Sequence, residues 1–501
     1  MTEDGGIILV FDCGATNLKV AAVNSEGKID AEASFPNSPT PQKGGKPGWL
    51  IWDLDEIWRK LCLGARKVLE KIDPQRIKAV TVATWGADGA PVKEDGSLTY
   101  PPISWQCPRT METAKKIEER ISLWEIFQIT GYQLTSFNTL LRLIWLRENA
   151  PEALNEAYTW LMMPGLITHR LCGEFHIEPT SASTMMAMDL RRRDWSDQLL
   201  ELAGLDSSFF PEWIEPGHTV GYVTEEAERE CGVPSGVPVA AGGHDTQFAL
   251  FGSGARMDEA VLSSGTWEIL GVRSDVFNPT RSAFENGLLF EADVQPGLWN
   301  PQLLMMGSGV LEWILDKIFP EAGDKKYDLM IKESEKEPVG SGGVMFIPSF
   351  VKETGPAKRY GTLGTILGLT LRTSRGQLLR SALEGLSLQL RHALEILKAE
   401  IPIEIRGIRV VGGGAKNPLW NQIRANVTGL PVITTEQKEY TALGAALAAF
   451  IGMGFYKSLE DARKYIFSEE KKFEPNGDED AYKALFRRYM DALDALKDYY
   501  Q

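Results

Sequence analysis

One pattern occurs twice in this chain and constrains its fold more than any other feature. It consists of an apolar strand, a short turn rich in Gly and Thr, and a second apolar strand. The first copy is ILVFDCGATNLKVAAVN at 8–24, and the second is EAVLSSGTWEILGVRS at 259–274. Because about 250 residues separate the copies, the repetition indicates two related domains and not a solenoid of short repeats. A chain of 501 residues also needs more than one hydrophobic core.

Composition and charge exclude several classes of protein. The net charge of −15 and the lack of long Lys/Arg blocks argue against a nucleic-acid partner or an anionic membrane surface. No apolar run approaches the roughly 20 residues of a membrane helix, and the acidic start MTEDGG is unlike a signal peptide. The five cysteines are widely spread without a C-x-x-C pair, which favours a reducing cytosol over zinc or redox chemistry. We therefore expect a cytoplasmic protein, and the sequence leaves a homodimer open.

The rest of the chain alternates strand and helix patterns. Asp53 and Glu56 form a capping-box pattern before a helix that is expected to run to about Ile72. GEFHIEPTSASTMMAMDL at 173–190 predicts a small β insertion. TALGAALAAFIGMG at 441–454 predicts a tightly packed helix. This alternation indicates an α/β protein.

The first turn carries a carboxylate, Asp12, where its leading strand ends. Successive N–H groups in Gly-rich turns bind anions, and Thr16 and Thr266 add hydroxyl donors to the two turns. Asp12 would repel a phosphate, so the combination favours a cation, and Mg²⁺ takes carboxylate, water and phosphate oxygens together. The alternative is that Asp12 only braces its own turn, but the second turn at 263–266 makes this the weaker interpretation.

A second acid follows the buried-strand pattern at 236–246, in the sequence GGHDT. Asp245 is the candidate general base, because a kinase must remove a proton from the attacking hydroxyl. Its alternative role is the N-cap of a helix. His244 is expected to orient substrate or to support the structure, since no second His or Cys stands at metal-ligand spacing.

Polar and aromatic residues after the strand at 77–85 suggest a sugar site. Asp88 and Arg109 would bind hydroxyl groups, and Trp85 and Trp105 would offer an aromatic face to the C–H surface of a sugar. Each of the two tryptophans taken alone is more typical of a core position.

A triple glycine at 412–414 ends a Val-rich strand and precedes a helix. One interpretation is a floor for a nucleotide base and ribose, with Asn417 as a polar contact. The other is a tight turn where the helix packs on the strand. The glycines alone do not decide between the two.

Taken in order, these segments resemble the FGGY carbohydrate kinases of the actin-like ATPase superfamily. The resemblance covers about 7–455 and depends on DCGATNLKVAAV, WGADGA, ISWQCPRT, GGHDTQFALFGSG, LSSGTWEIL, GSGVLEW, RSALEGL, VVGGGAKNPLWNQIRANVTGLPV and TALGAAL. It implies two actin-like (ribonuclease H-like) α/β domains with the active site in the interdomain cleft. The expected boundaries are an N-terminal sugar-binding domain at 1–248, a nucleotide-binding domain at 249–455, and a helical extension at 456–501 packed on the latter.

The resemblance also implies roles for individual residues, with ATP and Mg²⁺ or another divalent cation as cofactors. Asp12 matches the metal-binding acid and Asp245 the catalytic base. The implied nucleotide-binding residues are Thr16, Asn17, Lys19, Gly265, Thr266, Ser308, Gly309, Gly413, Gly414 and Asn417. The implied sugar-binding residues are Asp88, Gly89, Trp105, Arg109, His244 and Asp245.

Three positions depart from the common family pattern. Asp88 replaces a frequent His, Asn426 a frequent Asp, and Ser308 a frequent Gly. In having an acid at this position, the chain resembles the kinases of 6-deoxyketoses. The implied activity is therefore phosphorylation of a ketose on a primary hydroxyl, with L-fuculose to L-fuculose 1-phosphate in deoxysugar catabolism as the first expectation.

Other functions remain open at this point. The substrate could instead be L-rhamnulose, L-xylulose or D-ribulose. Discrimination between sugars that differ in one hydroxyl orientation depends on details of the pocket that a sequence does not contain. An actin-like ATPase working by conformation would also carry two phosphate turns, and Asp88, Arg109 and GGHDT favour the kinase over it. A catalytically inactive sugar sensor is disfavoured by the presence of both Asp12 and Asp245.

Overall fold

A computed structural model describes residues 5–320, 323–352, 354–466 and 470–500. Of these residues, 5–254, 290–299 and 439–466 form one compact unit, here unit 1. Residues 255–289, 300–438 and 470–500 form unit 2. Each unit is built around its own β-sheet.

The strands follow one another along the chain as β1 (Ile7–Cys13), β2 (Asn17–Asn24), β3 (Ile29–Pro36), β4 (Thr40–Pro41), β5 (Leu50–Ile51), β6 (Ile77–Thr84), β7 (Gly89–Val92), β8 (Thr159–Met162), β9 (Met188–Asp189), β10 (Asp194–Trp195), β11 (Thr219–Tyr222), β12 (Pro238–Ala240), β13 (Gly243–His244), β14 (Glu259–Ser264), β15 (Trp267–Gly271), β16 (Leu289–Ala292), β17 (Trp299–Met306), β18 (Met345–Ile347), β19 (Thr365–Leu367), β20 (Gly407–Val411), β21 (Val432–Thr435) and β22 (Glu470–Phe473).

The α-helices are α1 (Leu54–Leu69), α2 (Met111–Lys116), α3 (Leu123–Thr130), α4 (Thr139–Asn149), α5 (Pro151–Asn155), α6 (Met163–Cys172), α7 (Pro179–Ala182), α8 (Asp197–Glu201), α9 (Glu225–Cys231), α10 (Asp245–Gly252), α11 (Arg281–Glu285), α12 (Ser308–Ile318), α13 (Lys326–Ser334), α14 (Arg375–Glu400), α15 (Pro418–Thr428), α16 (Tyr440–Gly452), α17 (Leu459–Ile466) and α18 (Glu479–Tyr500). No helix in the described ranges is long and apolar enough to cross a membrane.

The sheet of unit 1 has the order β11-β12-β6-β1-β2-β3, with β13 also paired to β6. Strands β1, β2 and β3 form an antiparallel meander, and β1 pairs in parallel with β6. Alternate residues of β1 enter two different cores, for example Leu9 on one face and Val10 on the other. The sheet is therefore buried on both faces, which is why β1 is apolar up to Phe11.

Unit 2 repeats this plan. Its strands follow the order β17-β15-β14-β20-β21-β22, with an antiparallel meander of β14, β15 and β17 and parallel pairing of β14 with β20. The two copies of the sequence pattern form β1–β2 and β14–β15, the corresponding hairpins of the two sheets. The prediction of two related α/β units from this repeat is confirmed.

The units are not separated by a single cut in the chain. Helix α16 belongs to unit 1, where it packs against α10. The contact depends on small residues, since a Cβ on Gly444 would lie 1.9 Å from the Phe248 carbonyl oxygen. Helix α17 belongs to unit 1 as well, whereas α18 belongs to unit 2.

Most of the predicted elements are present, and one prediction is wrong. The helix after Asp53 forms as α1, although it ends at Leu69, and Asp53 accepts a hydrogen bond from the Glu56 amide. The stretch 173–190, predicted as a β insertion, contains α7, a following 3-10 turn and only the two-residue strand β9. The reason is local, because Glu178 accepts from the Thr180 and Ser181 amides and starts a helix there.

Candidate active site

The ends of three neighbouring strands position the acids of unit 1. Strand β6 lies between β1 and β13 and is parallel to both. Residue Thr84 at the end of β6 is the register partner of Cys13 on one side and of His244 on the other. Asp12 and Asp245 therefore occupy the same edge of the sheet, and their charges interact.

Asp12 has the surroundings expected of a cation ligand. Its carboxylate accepts no hydrogen bond from the described residues, which argues against a brace for its own turn. Burial raises the pKa of Asp12 to about 7, and the negative charge of Asp245 adds to this rise. The charge of Lys19 opposes it. The Lys19 ammonium is already paired with Glu439 and lies 3.7 Å from Glu32.

The donor set fits Mg²⁺ in one particular way. Among the described residues, no group of three or more His, Cys, Asp and Glu side chains could enclose a metal ion. Mg²⁺ does not need such a cage, since it is commonly bound by one or two carboxylates together with waters and substrate phosphates. The carboxylate of Asp12, whose charge is incompletely neutralised by the protein, meets that requirement.

Asp245 is the first residue of α10 and follows β13 directly. Its Oδ1 accepts a hydrogen bond from the Thr246 amide at 2.6 Å and lies 3.4 Å from Nε2 of His244. Burial raises the pKa of Asp245, and the His244 charge opposes this rise. The N-cap of α10 is His244, so Asp245 does not have the capping role that was its alternative.

His244 is held by three separate contacts. Its amide donates to Thr180 Oγ1 at 2.9 Å, its Nδ1 lies 2.9 Å from Glu291 Oε2, and its Nε2 lies beside the Gly86 backbone, where a Cβ would approach to 3.0 Å. Burial alone would lower the pKa of His244, but the carboxylates of Glu291, Asp245 and Glu178 raise it to about 9. The ring is therefore an imidazolium at neutral pH.

Glu291 was not found from the sequence. It lies on β16 and is 2% exposed, and the only sequence sign is an acid within the apolar stretch LLFEADV. A buried acid is unfavourable unless it is paired, so an acid in an apolar stretch indicates a carboxylate with a partner.

The turn after β6 is held in an unusual conformation. Ala87 has φ of 66°, a region that non-glycine residues rarely adopt. Its amide donates to Thr184 Oγ1, and its carbonyl oxygen accepts from Thr139 Oγ1 and from Arg142. These side chains fix the backbone that carries Gly86 and Asp88.

Asp88 is completely buried, with 0% of its surface exposed. Its Oδ2 accepts from the indole N–H groups of Trp52 and Trp85 and from the Trp105 amide, and its Oδ1 lies 2.7 Å from Arg142. Burial raises the pKa of this carboxyl, and the Arg142 charge opposes it. Asp88, a predicted sugar ligand, is directed at protein groups in the structure.

Two other predicted sugar-binding residues have protein partners as well. The Arg109 guanidinium lies 4.3 Å from the ring of Trp49 and donates to Tyr100 Oη and Cys107 Sγ. Gly89 starts β7, where a Cβ would lie 2.5 Å from the Leu161 carbonyl oxygen, so its requirement is one of packing.

Trp105 is different from these residues. It is 39% exposed and lies edge-on to Phe137 with ring centroids 6.0 Å apart. Trp85 is only 6% exposed and is tied to Asp88, so Trp105 is the better candidate for the aromatic face.

The first turn is compact and leaves its hydroxyl side open. The Gly14 amide donates to the Asn17 carbonyl oxygen at 2.9 Å, which closes the turn between β1 and β2. A Cβ on Gly14 would lie 2.8 Å from that oxygen, so this position needs glycine. Thr16 and Asn17 are exposed.

In unit 2, the second turn is fastened to the start of α12. The amides of Ser308 and Gly309 donate to the carbonyl oxygens of Gly265 at 2.8 Å and Thr266 at 3.2 Å. Thr266 itself is exposed. The structure thus brings these four predicted nucleotide-binding residues together, with Ser308 and Gly309 supporting the turn through their amides.

The glycine loop lies against the same turn of unit 2. A Cβ on Gly414 would lie 2.0 Å from Ser264 Oγ, so the loop can approach this closely only without side chains. Ser264 Oγ in turn accepts from Arg424 and donates to Glu268, which form a completely buried ion pair. Asn417 caps α15 through Oδ1, which accepts from the Trp420 amide at 3.0 Å.

Two family models match the chain. The N-terminal domain of the FGGY family of carbohydrate kinases matches residues 7–252, and the C-terminal domain of that family matches residues 260–453. The chain belongs to the FGGY family of carbohydrate kinases. It is therefore a carbohydrate kinase, that is, a phosphotransferase, and the family prediction from the sequence motifs is confirmed.

Known proteins resemble this carbohydrate kinase over nearly their full length. L-fuculokinase of Escherichia coli K12 is 40% identical over 94% of this chain and 97% of its own, and L-fuculokinase of Haemophilus influenzae is 37% identical over 94% and 100%. Xylulose kinase from Rhodospirillum rubrum matches in structure with a TM-score of 0.89 over 99% of both chains at 22% identity. The structural match confirms the predicted two-domain α/β fold.

Proposed function

We propose that this carbohydrate kinase phosphorylates L-fuculose on its primary hydroxyl to give L-fuculose 1-phosphate, with ATP as phosphoryl donor. The catalytic part of the proposal depends on one observation, the pair Asp12 and Asp245 beside the charged His244 at one sheet edge. The choice of sugar is supported by the 37–40% identity to L-fuculokinases over almost the whole chain. Kinases of this family generally use ATP with a divalent cation.

Asp245 serves as the general base in this mechanism. It accepts the proton of the sugar hydroxyl as the hydroxyl oxygen attacks the γ-phosphorus of ATP. The imidazolium of His244, 3.4 Å away, favours the ionised form of Asp245 that this role requires. Asp12 would hold Mg²⁺, which when bound neutralises negative charge on phosphate oxygens.

The nucleotide is held by main-chain turns and hydroxyl groups. In this proposal, the exposed Thr16 and Thr266 donate to ATP phosphates, and Gly413 and Gly414 offer a flat surface to the adenosine. Lys19 acts by balancing Asp12 and Glu439, because its ammonium is already paired. Asn417 shapes the adenosine side as the cap of α15.

We assign the sugar contacts differently from the expectation based on the sequence alone. Trp105 offers the exposed ring, and His244 Nε2 faces the reacting hydroxyl. Asp88 and Arg109 act indirectly. Asp88 holds the Trp105 amide, and Arg109 lies over the rings of Trp49 and Trp145. Catalysis then depends on positioning and on charge, as phosphoryl transfer generally does.

A ketose panel tests the substrate. With ATP and Mg²⁺, ADP release is measured as kcat/KM for L-fuculose, L-rhamnulose, L-xylulose and D-ribulose. We expect L-fuculose to lead by at least about tenfold, which corresponds to roughly 1.4 kcal/mol of transition-state binding. A lead by another ketose would overturn the assignment of the sugar only. If no sugar stimulates ADP release, the conformational ATPase becomes the better hypothesis.

Thr266→Ala tests the assignment of the second turn to ATP. Loss of one hydrogen bond to a charged phosphate, about 1.5–3 kcal/mol, should raise KM for ATP by about tenfold or more while KM for the ketose changes by less than about twofold. Thr370→Ala, in an exposed turn of the same unit, is the matched control. A larger rise in the KM for the ketose would move this turn to the sugar side.

A further inference from the structure

A buried polar cluster of unit 1 surrounds Glu291. Its Oε2 lies 2.9 Å from His244 Nδ1 and accepts a hydrogen bond from Gln247 Nε2, one turn further along α10. Tyr132, after α3, also forms a hydrogen bond with this carboxylate. Three segments distant in sequence thus meet at a single carboxyl group.

The backbone of Glu291 is fixed as well. The preceding residue, Phe290, donates its amide to the Gly131 carbonyl oxygen at 2.8 Å, and its ring lies 6.2 Å from Phe127. Glu291 is 2% exposed, so its carboxylate is removed from bulk water. A carboxylate in such a place is costly unless a cation and several donors compensate it.

His244 is the cation that compensates it. The two ring nitrogens face different carboxylates, Nδ1 toward Glu291 and Nε2 toward Asp245 at 3.4 Å. A neutral imidazole has only one N–H donor, whereas the imidazolium has two and can serve both partners. Burial lowers the pKa of His244, but Glu291 contributes the largest opposing effect, and the balance raises that pKa to about 9.

We propose that Glu291 is a positioning residue for phosphoryl transfer: it keeps the His244 ring charged, with Nε2 directed at Asp245 and at the reacting hydroxyl. The inference deepens the proposed function, because it assigns the group that prepares the catalytic base. Gln247 has a supporting part, since its amide holds the same Glu291 oxygen.

Other charged groups face His244 and share in this effect. Asp245 adjoins it on α10, and Glu178 at the start of α7 also favours the charged ring. The Glu178 carboxylate is occupied by the Thr180 and Ser181 amides. Glu291 differs because its carboxylate lies in direct contact with a ring nitrogen.

The test is Glu291→Gln, which keeps the size and an acceptor oxygen but removes the charge. We expect kcat for the ketose to fall by roughly 10–100-fold, as is typical for residues that orient a functional group from behind, with KM for ATP unchanged within about twofold. Combining it with His244→Asn should give no further loss beyond His244→Asn alone, because Glu291 acts only through that ring. Glu291→Asp, which keeps the charge, should recover part of the rate.

A second measurement does not depend on turnover. In ¹⁵N NMR of the full chain, the His244 ring, assigned among five histidines by His244→Asn, should stay protonated to about pH 9 in the wild type. It should titrate at clearly lower pH in Glu291→Gln. Glu230→Gln is the matched control. Glu230, on helix α9, also accepts a hydrogen bond from an aromatic ring N–H, that of Trp58.

The outcomes separate this inference from the proposed function. Wild-type kcat in Glu291→Gln, an unchanged His244 titration, or losses that add fully with His244→Asn would each overturn the positioning role. A purely structural role would lower the melting temperature without moving the His244 titration. If the wild type phosphorylates no ketose, the proposed function fails, while the NMR titration still tests Glu291.

Discussion

Asp245→Asn should bind ATP normally and lose sugar phosphorylation. The amide has nearly the shape of the carboxylate but cannot accept the proton of the sugar hydroxyl. General-base catalysis typically contributes 10²–10⁴-fold, so kcat should fall by roughly that factor. The position at the start of α10 and the contact with the Thr246 amide should be retained, because Asn keeps an acceptor oxygen.

The measurement is single-turnover phosphorylation together with ATP binding by calorimetry. Asp206→Asn is the control, since Asp206 also accepts from a nearby backbone amide, that of Ser208, but in an exposed turn. If kcat of Asp245→Asn stays within about tenfold of the wild type, or some 1.4 kcal/mol of barrier, Asp245 is not the base. If ATP binding is lost as well, Asp245 has its main role at the nucleotide.

The parts of the site that could be predicted are those encoded locally. A strand that ends in an acid next to a Gly/Thr turn, as for Asp12, is visible within the window of about 11–18 residues that secondary-structure patterns generally need. The sheet register then brings Asp12 and the GGHDT segment to one edge, as parallel strands around β6 require. The repeat at 8–24 and 259–274 likewise predicted the matching hairpins of both sheets.

The parts that could not be predicted depend on partners far away in the chain. Asp88 looked like an available sugar ligand, yet its carboxylate is enclosed by Trp52 and Arg142, 36 and 54 residues away. No local pattern contains that pairing. The same holds for Arg109, whose aromatic partners Trp49 and Trp145 lie on either side of it in sequence.

Glu291 shows a second limit of sequence reasoning. Residues 290–299 return to unit 1 although the chain before and after them belongs to unit 2. Only this return brings an acid from an apolar strand to His244. The wrong β prediction at 173–190 has a different, local cause, because the helix cap formed by Glu178 decided the structure of that stretch against the apolar pattern.

Asp88→Asn should destabilise unit 1 more than any other conservative change near the site. Asp88 and Arg142 both have side chains that are 0% exposed, so the substitution leaves a buried guanidinium without its carboxylate. Breaking such a pair from one side typically costs 3–5 kcal/mol. The urea midpoint, followed by tryptophan fluorescence, should fall accordingly, since Trp52 and Trp85 donate directly to this carboxylate. Asp55→Asn, which breaks the exposed pair with Arg170, should cost at most about 1 kcal/mol.

The second substitution decides what Asp88 is for. In Asp88→Asn/Arg142→Met the unpaired cation is gone, and much of the lost stability should return, because removing both members of a buried pair costs less than removing one. If Asp88 acts only by holding the Trp105 amide, the ketose KM of the double variant should still be raised, since an amide is a weaker acceptor than a carboxylate. The opposite result would be an Asp88→Asn variant that keeps its free energy of unfolding within about 1 kcal/mol and loses only sugar affinity. In that case the Asp88 carboxylate of the wild type contacts the sugar directly, and the residues that enclose it move apart when the sugar binds.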